Sequence, residues 1–423
     1  MTGHPPRRIA VVGSGPAGCF TAQALHRRWP EAELTVFDRL AAPYGLVRYG
    51  VAPDHQHGKA VARQFDRLFA DGVRFAGDVE LGGVLPLETL RAQYDLVVLA
   101  TGLDRDRALP LPGAQLPGVV PAGRIVAALN AAPRPPVPMP AIGPRAVVIG
   151  AGNVAVDIVR LLAKTEREHA GGDVDPDALA SYLARPAAEV TLLSRSSAVS
   201  AKADPAMLRE LGGIPGVAFE FVEADPAPAP PQDPTAARRL AALAELAALP
   251  APERPRLRVR LLFGASPERI LGEDAVRGVR LADPPAGWPA EIPADTVVTA
   301  IGFEADPDAC GGGLELAPSP SGRMGERLYR TGWLKRGPVG AVPANRADAA
   351  EVVHEIVEDA EAGLLAPRDR ARGFAGLPEE VRRRAVSFEQ WRRVDAVERA
   401  AAAPDRVRRK IREHGAMLAV ARG

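Results

Sequence analysis

Ile9-Ala10-Val11-Val12-Gly13-Ser14-Gly15-Pro16-Ala17-Gly18 stands close to the start of the chain. The four apolar residues predict a short buried strand, and Cys19 to Trp29 reads as a helix. Between them lies G-x-G-x-x-G in the setting that gives this motif its meaning, directly after a strand and opening a helix. Gly13 permits a tight turn, and Gly15, followed by Pro16 and Ala17, lets backbone N–H groups approach a pyrophosphate. Gly18 lets the helix pack close to the strand, while the helix N-terminus favours an anion. A second strand, Glu33 to Phe37, ends at Asp38, about twenty residues beyond Gly18, where a carboxylate would accept hydrogen bonds from a ribose. The stretch predicts a doubly wound α/β domain that binds a dinucleotide.

The pattern occurs again downstream. Pro144 to Ile149 reads as a strand, Gly150-Ala151-Gly152-Asn153-Val154-Ala155 as G-x-G-x-x-A, and the following residues as a helix through Leu162. The next strand, Val190 to Leu193, ends in Ser194-Arg195, with a cation in place of the acid. A carboxylate there would repel a 2′-phosphate and an arginine can pair with it, so NADP is favoured over NAD. Glu166 to Pro186 intervenes and lengthens the spacing.

Two dinucleotide sites in one chain select hydride chemistry, with FAD expected in the first and a nicotinamide nucleotide in the second. Tyr94 to Gly102 reads as a strand ending near the first cofactor, and Asp295 to Gly302 repeats it near the second. Ligands lie outside the carboxyl ends of strands in open parallel sheets, which makes Gly102 a candidate contact.

The rest of the composition narrows the field. A chain of 423 residues argues for two domains. Lys+Arg 53 against Asp+Glu 52 leaves +1, which excludes a dedicated nucleic-acid binder. The two cysteines, Cys19 and Cys310, form no C-x-x-C, so a disulfide scaffold, a dithiol mechanism and a cysteine-ligated metal centre are all excluded. Without an apolar run long enough for a bilayer or a signal-peptide core at the N-terminus, the expectation is a cytoplasmic, monomeric protein with no membrane association and no metal.

Three further segments lie outside the fingerprints. Asp104 to Pro140, rich in Pro, Gly and Ala, reads as a crossing connection, and Ala224 to Pro234 as an exposed loop. Ala236 to Leu249 reads as a surface helix without chemical meaning. From Arg368 onward 15 Lys/Arg face 8 Asp/Glu, and Arg209 with Arg406, Arg408, Arg409 and Lys410 is the candidate docking face for an acidic partner.

Pro43-Tyr44-Gly45-Leu46-Val47-Arg48-Tyr49-Gly50-Val51-Ala52-Pro53-Asp54-His55 is far more specific than a glycine loop. With the first fingerprint it resembles ferredoxin–NADP reductases of the adrenodoxin-reductase type. Gly150 to Asp157, Leu208-Arg209-Glu210-Leu211 and Gly332 to Gly340 agree with that resemblance, and weaker similarity around Trp391 and Arg406 to Lys410 extends it to the C-terminus.

The resemblance implies two Rossmann-like domains, with an NAD(P) domain at 105–326 inserted into a discontinuous FAD domain of 1–104 and 327–423. Gly13, Gly15, Gly18, Asp38, Gly45 and Leu46 would hold the adenylate and pyrophosphate side of FAD. Trp333 and the Gly340-Ala341-Val342 backbone would lie at the flavin, where N–H groups stabilise negative charge. From the residues alone, Gly337 to Gly340 is a turn before an Ala347–Glu361 helix. His55 and Glu210 match a pair near the nicotinamide face, with histidine suited to a proton relay.

The departures are informative. Where the family usually has two arginines followed by Gly-Pro, this chain has Arg195-Ser196-Ser197-Ala198, then Ala201-Lys202-Ala203-Asp204, and a usual Trp-Tyr-Asn cluster is Ala128-Leu129-Asn130. Each lost charge-assisted bond is worth roughly 1.5–3 kcal/mol, so NADH use alongside NADPH is possible unless Lys202 compensates. The expected activity is electron transfer from NAD(P)H through FAD to a ferredoxin-type iron–sulfur carrier. The rivals are a flavin enzyme acting directly on a small molecule and a non-catalytic FAD-binding scaffold.

Overall fold

A computed structural model describes residues 5–423 apart from 104, 135, 224–231, 285, 307–311 and 315. Most of the loop read at Ala224 to Pro234, and Cys310, therefore lie outside the described residues. The chain forms two compact units, one of Met1–Arg105, Ala132–Pro136 and Phe303–Gly423, the other of Asp106–Ala131 and Val137–Gly302.

In the first unit, β1 (Arg8–Val12), β2 (Glu33–Phe37), β3 (Arg74–Ala76) and β4 (Leu96–Leu99) pair in parallel. The sheet order is Arg323–Gly325, Leu328–Arg330, β4, β1, β2, β3, with only the outermost strand antiparallel. β1 is buried on both faces. Ile9 and Val11 join Phe20, Leu25 and Val352 in one core, while Ala10 and Val12 join Phe37 and Leu90 in the other. That is why β1 reads as a continuous apolar run rather than an alternating one.

Helix α1 (Pro16–Arg28) has proline in its first turn and His26, Arg27 and Arg28 in its last, so its side-chain charges follow the helix dipole. The Val342–Glu361 helix packs on it through Ala349, Val352 and Val353. Phe388–Ala400 and His414–Arg422 complete the same core with Trp391, Val394 and Met417.

The second unit is built on a fully parallel six-stranded sheet. Its order is Val119–Pro121, Thr296–Thr299, Arg145–Ile149, Glu189–Ser194, Leu257–Phe263, Val217–Glu223. A three-stranded antiparallel sheet, Pro267–Gly272, Val276–Leu281 and Glu291–Pro293, places Ile270, Val279 and Ile292 in a core with Val147, Leu262 and Val297.

Two segments differ from the sequence reading, and the structure assigns elements to a third. The chain rejoins the first unit at Phe303 rather than at 327, because Phe303, Ala305, Leu314 and Leu316 already pack on the first core. The stretch read as a crossing connection supplies the edge strand Val119–Pro121 and the helix Ala122–Leu129 of the second unit. The Glu166 to Pro186 insertion folds as a turn of 3-10 helix, Glu166–His169, and a helix, Pro176–Leu183, whose first turn is capped by Asp175. Among the described residues no helix is long and apolar enough to cross a membrane.

Candidate functional site

β1 lies between β2 and β4, so the connection to β2 and the later one into β4 fall on opposite sides of it, the switch point beyond whose carboxyl end ligands bind in such sheets. The three glycines of the loop there differ in what surrounds them. Gly13 has φ +108°, and a Cβ on it would stand 2.3 Å from the Ala100 carbonyl oxygen. A Cβ on Gly18 would stand 1.8 Å from the Gly13 carbonyl oxygen. A Cβ on Gly15 would meet nothing within 4 Å. The outer two glycines are required by packing, whereas the middle one leaves its backbone open to an approaching ligand. Gly102, with φ +72° just beyond β4, is open in the same way.

Asp38 has a task beyond the one its position suggests. Its Oδ2 accepts from the Ser14 amide at 2.9 Å and the Ser14 hydroxyl at 2.5 Å, and its Oδ1 accepts from the Leu40 amide at 2.9 Å. The carboxylate, 8% exposed, thus braces the glycine loop as well as closing β2. Ser14, the variable position inside the motif, was invisible to motif reading.

A second loop leans on the first. Tyr44 and Gly45 have φ of +85° and +49° in succession. The Tyr44 amide donates to the Ser14 carbonyl at 3.1 Å, and a Cβ on Gly45 would stand 3.0 Å from the Gly15 Cα. Positive φ at an aromatic residue costs about 1–3 kcal/mol and persists only where the surroundings enforce it. Here the Tyr44 ring packs on Phe65 and Trp391, and its hydroxyl donates to Asp66. Leu46 follows, 40% exposed, at the start of the short Leu46–Tyr49 helix. His55 is half-buried ahead of the Gln56–Lys59 helix, its amide donating to the Ala52 carbonyl at 3.0 Å.

Trp333 enters the same unit through Gly332, whose φ is +71° and where a Cβ would stand 2.4 Å from that of Ala17. Asp348 fixes the junction by accepting from the Thr331 hydroxyl at 2.9 Å and the Gly332 amide at 2.5 Å. The Trp333 indole donates to the Gly340 carbonyl at 3.3 Å and its ring stacks on Phe303. The helix expected from Ala347 begins five residues earlier, at Val342, with Pro343 in its first turn. Val342 is therefore the first residue of a 20-residue helix, with Ala341 as its N-cap and Gly340 in the loop just before it. Glycine loop, Tyr44-Gly45-Leu46 loop and Trp333 segment all belong to one unit.

The second unit repeats the first loop. Gly150 has φ +128°, and a Cβ on it would stand 2.3 Å from the Ala300 carbonyl oxygen, matching the distance from Gly13 to Ala100. Gly152 is open within 4 Å, and Asn153 begins the Asn153–Ala163 helix. The Asn153 Oδ1 accepts from the Asp204 amide at 2.8 Å, which ties the loop to the Pro205–Gly212 helix that Asp204 caps. Val154 is half-buried in the first turn, and Ala155 is fully buried, as its place in the motif requires. Arg195 is exposed at the end of the Glu189–Ser194 strand. Glu210 stands 3.6 Å from the buried Arg160, which also donates to Asp157 at 2.6 Å.

Of the cations expected at a docking face, Arg409 is exposed and the others are engaged within the fold. Lys410 is buried and donates to the Arg48 carbonyl at 3.0 Å. Arg408 pairs with Asp395 and Glu398, and Arg406 with Asp405. Arg209, in the other unit, is held by Glu245 at 2.7 and 3.2 Å. Arg408 and Arg209 are met by acids from other helices, Arg406 by its own neighbour, and Lys410 by a backbone carbonyl. A groove of about 660 Å³ does carry cations: Arg27, Arg28 and Arg346 line it over Phe20, Ala349 and Val353.

Cys19 is buried, its thiol donates to the Ser14 carbonyl at 3.1 Å, and burial pushes its pKa well up, so it is an inert packing residue. Among the described residues no cluster of His, Cys, Asp and Glu could hold a metal ion.

Comparison with known proteins bears directly on this arrangement. Residues 7–212 match the family model described as pyridine nucleotide-disulphide oxidoreductase. The chain is 40% identical to "Cindoxin reductase" of Citrobacter braakii over 98% of its own length and 91% of that protein's. It is 32% identical to "NADPH:adrenodoxin oxidoreductase, mitochondrial" of Arabidopsis thaliana over 93% of itself and 91% of the other. The solved structure of Mycobacterium tuberculosis FprA in complex with NADPH superposes with a TM-score of 0.86 at 30% identity, covering 99% of this chain and 100% of that one. A fold shared along nearly the full length, at these identities and around two glycine loops of the same geometry, places the chain in the adrenodoxin-reductase type of the ferredoxin–NADP reductase family.

Proposed function

We propose that this protein is an FAD-dependent reductase that carries electrons from NADPH to a ferredoxin-type carrier. The observation that bears most weight is the repeated close packing of a glycine on a backbone carbonyl, Gly13 on Ala100 and Gly150 on Ala300, at the switch point of each sheet. Two such crevices suit two dinucleotides, and a membrane electron route has no spanning helix among the described residues to support it.

The first unit fits FAD on two structural counts. Gly15 offers open backbone beside a loop braced by Asp38, and the amides of Gly340, Ala341 and Val342 form no hydrogen bond among the described residues. Gly13, Gly15, Pro16, Ala17 and Gly18 would hold the pyrophosphate, Asp38 the ribose side, and Gly45, Leu46 and Gly102 the walls of the crevice. The Gly340-Ala341-Val342 amides at a helix N-terminus would stabilise negative charge on the ring, and Trp333 would cover its edge. Bound FAD converts the two-electron delivery of a hydride donor into the single-electron transfers that a carrier protein accepts.

In the second unit Gly150, Gly152, Asn153 and Val154 would receive the nicotinamide nucleotide, with Arg195 reading the 2′-phosphate. Ser196 leaves that phosphate one cation short of the family pattern, so NADPH is the favoured donor and NADH a possible one. His55, in the first unit, would serve as a proton relay, and Glu210, on the Pro205–Gly212 helix of the second, is the acid that the family resemblance assigns to nicotinamide binding. For an acidic iron–sulfur partner the fitting surface is the groove of Arg27, Arg28 and Arg346.

Anaerobic addition of NADPH to purified protein is the test. The reading requires bleaching of the yellow flavin band and reduction of cytochrome c that depends on added ferredoxin. Bleaching without ferredoxin dependence moves the assignment to direct action on a small molecule, and no bleaching leaves only a flavin-binding scaffold.

A further inference from the structure

The helix read from sequence at Ala236 to Leu249 as a surface element runs over Pro234–Ala247, and it reaches the nucleotide end of its unit through one side chain. Arg239 is 7% exposed. Its Nε donates to the Ala203 carbonyl at 2.9 Å and its Nη1 to the Val199 carbonyl at 2.8 Å. Both acceptors lie in the stretch that follows Arg195, the strand-end cation assigned above to the 2′-phosphate.

That stretch is secured at each end by other contacts. At its start, the Ser196 carbonyl accepts from the Gly264 amide at 3.1 Å and the Ser194 hydroxyl at 2.9 Å. At its far end, the Lys202 amide donates to the Ala151 carbonyl at 3.2 Å and the Asp204 amide to Asn153 at 2.8 Å, joining it to the second glycine loop. Arg195 stands one residue ahead of the first anchor and Lys202 at the second; both side chains are exposed and form no ion pair among the described residues. The guanidinium of Arg239 spans Val199 and Ala203 from behind, as a planar fork of donors can and an ammonium cannot. Its helix is set by an Asp233 cap, with Asp233 accepting from the Thr235 and Ala236 amides at 3.1 Å each, and by buried Ala242, Leu243 and Leu246.

We propose that Arg239 is a positioning residue for nucleotide choice: by bridging Val199 and Ala203 it holds Arg195 and Lys202 where a 2′-phosphate is recognised. Lys202 then supplies the second cation that Ser196 does not. The inference rests on the NADPH reading of this unit and adds the device that makes it work with one strand-end arginine. It predicts a loss confined to ligands bearing the 2′-phosphate, which a merely structural residue would not produce.

The experiment titrates the FAD-loaded protein with 2′,5′-ADP and with 5′-AMP by calorimetry, for wild type, Arg239→Met, Arg239→Lys and Arg195→Ala. Arg239→Met is expected to weaken 2′,5′-ADP by about tenfold, the size of one lost charge-assisted contact, and 5′-AMP by less than about twofold. Arg239→Lys, keeping the charge but not the fork, should fall between, and it carries the same comparison if Arg239→Met fails to fold. The KM for NADPH should rise in step while that for NADH stays. Equal weakening of both ligands, or of neither, overturns the proposal. Loss of discrimination in Arg195→Ala but not in Arg239→Met refutes Arg239 alone. The reverse pattern refutes the Arg195 assignment and supports Arg239.

Discussion

Arg48 and Glu398, 350 positions apart, form a buried pair in which one guanidinium nitrogen donates to both carboxylate oxygens at 2.6 and 2.5 Å. The Arg48 guanidinium also lies between two rings, 4.9 Å from the Tyr49 centroid and 4.7 Å from that of Trp391. Arg48 sits in the short Leu46–Tyr49 helix that follows the loop leaning on the first glycine motif, and Glu398 sits on the Phe388–Ala400 helix. The C-terminal segment thus holds the cofactor loop in place.

Glu398→Gln removes one charge from a pair buried on both sides. Breaking such a pair costs about 3–5 kcal/mol because the remaining charge is left uncompensated. The expected outcome is a lower denaturation midpoint, followed by tryptophan fluorescence, together with faster flavin release on dilution. An unchanged midpoint would show that the pair contributes nothing net.

The glycines of the first loop should separate on mutation. Gly13→Ala places a Cβ 2.3 Å from a backbone oxygen at φ +108°, where neither side can yield, and should give little folded protein. Gly15→Ala meets nothing within 4 Å and should fold with near-native stability but retain much less FAD. Circular dichroism beside the ratio of flavin to protein absorbance distinguishes the two. FAD retention in Gly15→Ala equal to wild type would contradict close approach of the pyrophosphate.

The nucleotide site makes a paired prediction. Arg195→Ala should raise KM for NADPH far more than for NADH, by about tenfold or more for one lost charge-assisted contact. Ser196→Arg should sharpen the preference for NADPH by restoring a second cation. Steady-state assays with both donors decide this, and equal effects of Arg195→Ala would show that Arg195 does not read the phosphate.

Acid stability should depend on Asp78. Burial alone would push its carboxyl up, but hydrogen bonds from His414 and Arg384 outweigh burial and hold it below the usual carboxylate range. Arg422 adds a third contact at 3.3 Å. A carboxyl whose pKa is lower folded than unfolded contributes stability that is full above the unfolded value near 4 and lost as pH falls through the folded one. Asp78→Asn should therefore lower stability at pH 6 and flatten its fall between about pH 5 and pH 2. Urea melts across that range are the measurement.

Partner docking should follow the groove and not the C-terminal arginines. Reversing Arg27 and Arg28 to Glu should slow ferredoxin-coupled reduction and remove most of its salt dependence, since exposed charges are screened beyond about 10 Å at 0.1 M salt. Ferricyanide reduction, which needs no specific docking surface, should change little. The Arg406 and Arg408 pairs are internal, so reversing those two should cost stability before it costs docking. A coupled rate indifferent to both salt and the Arg27/Arg28 reversal would reject the groove.

The elements legible in the sequence were those set by local requirements. A strand buried on both faces must be continuously apolar, and a turn that grazes a carbonyl must be glycine, so β1, the Gly13 and Gly150 loops and their helices could be placed from spacing alone. Pro43 to His55 carried the family because its residues are specific, although nothing in them disclosed that Tyr44 and Gly45 lean on the glycine loop. Tertiary structure decided whatever depends on which distant group arrives. Asp38 braces Ser14, Glu398 neutralises Arg48, Lys410 is buried against a carbonyl, and Arg239 supports the stretch after Arg195. A charge in a sequence carries no mark of its partner, and only folding determines whether it faces water, a carboxylate or a backbone oxygen.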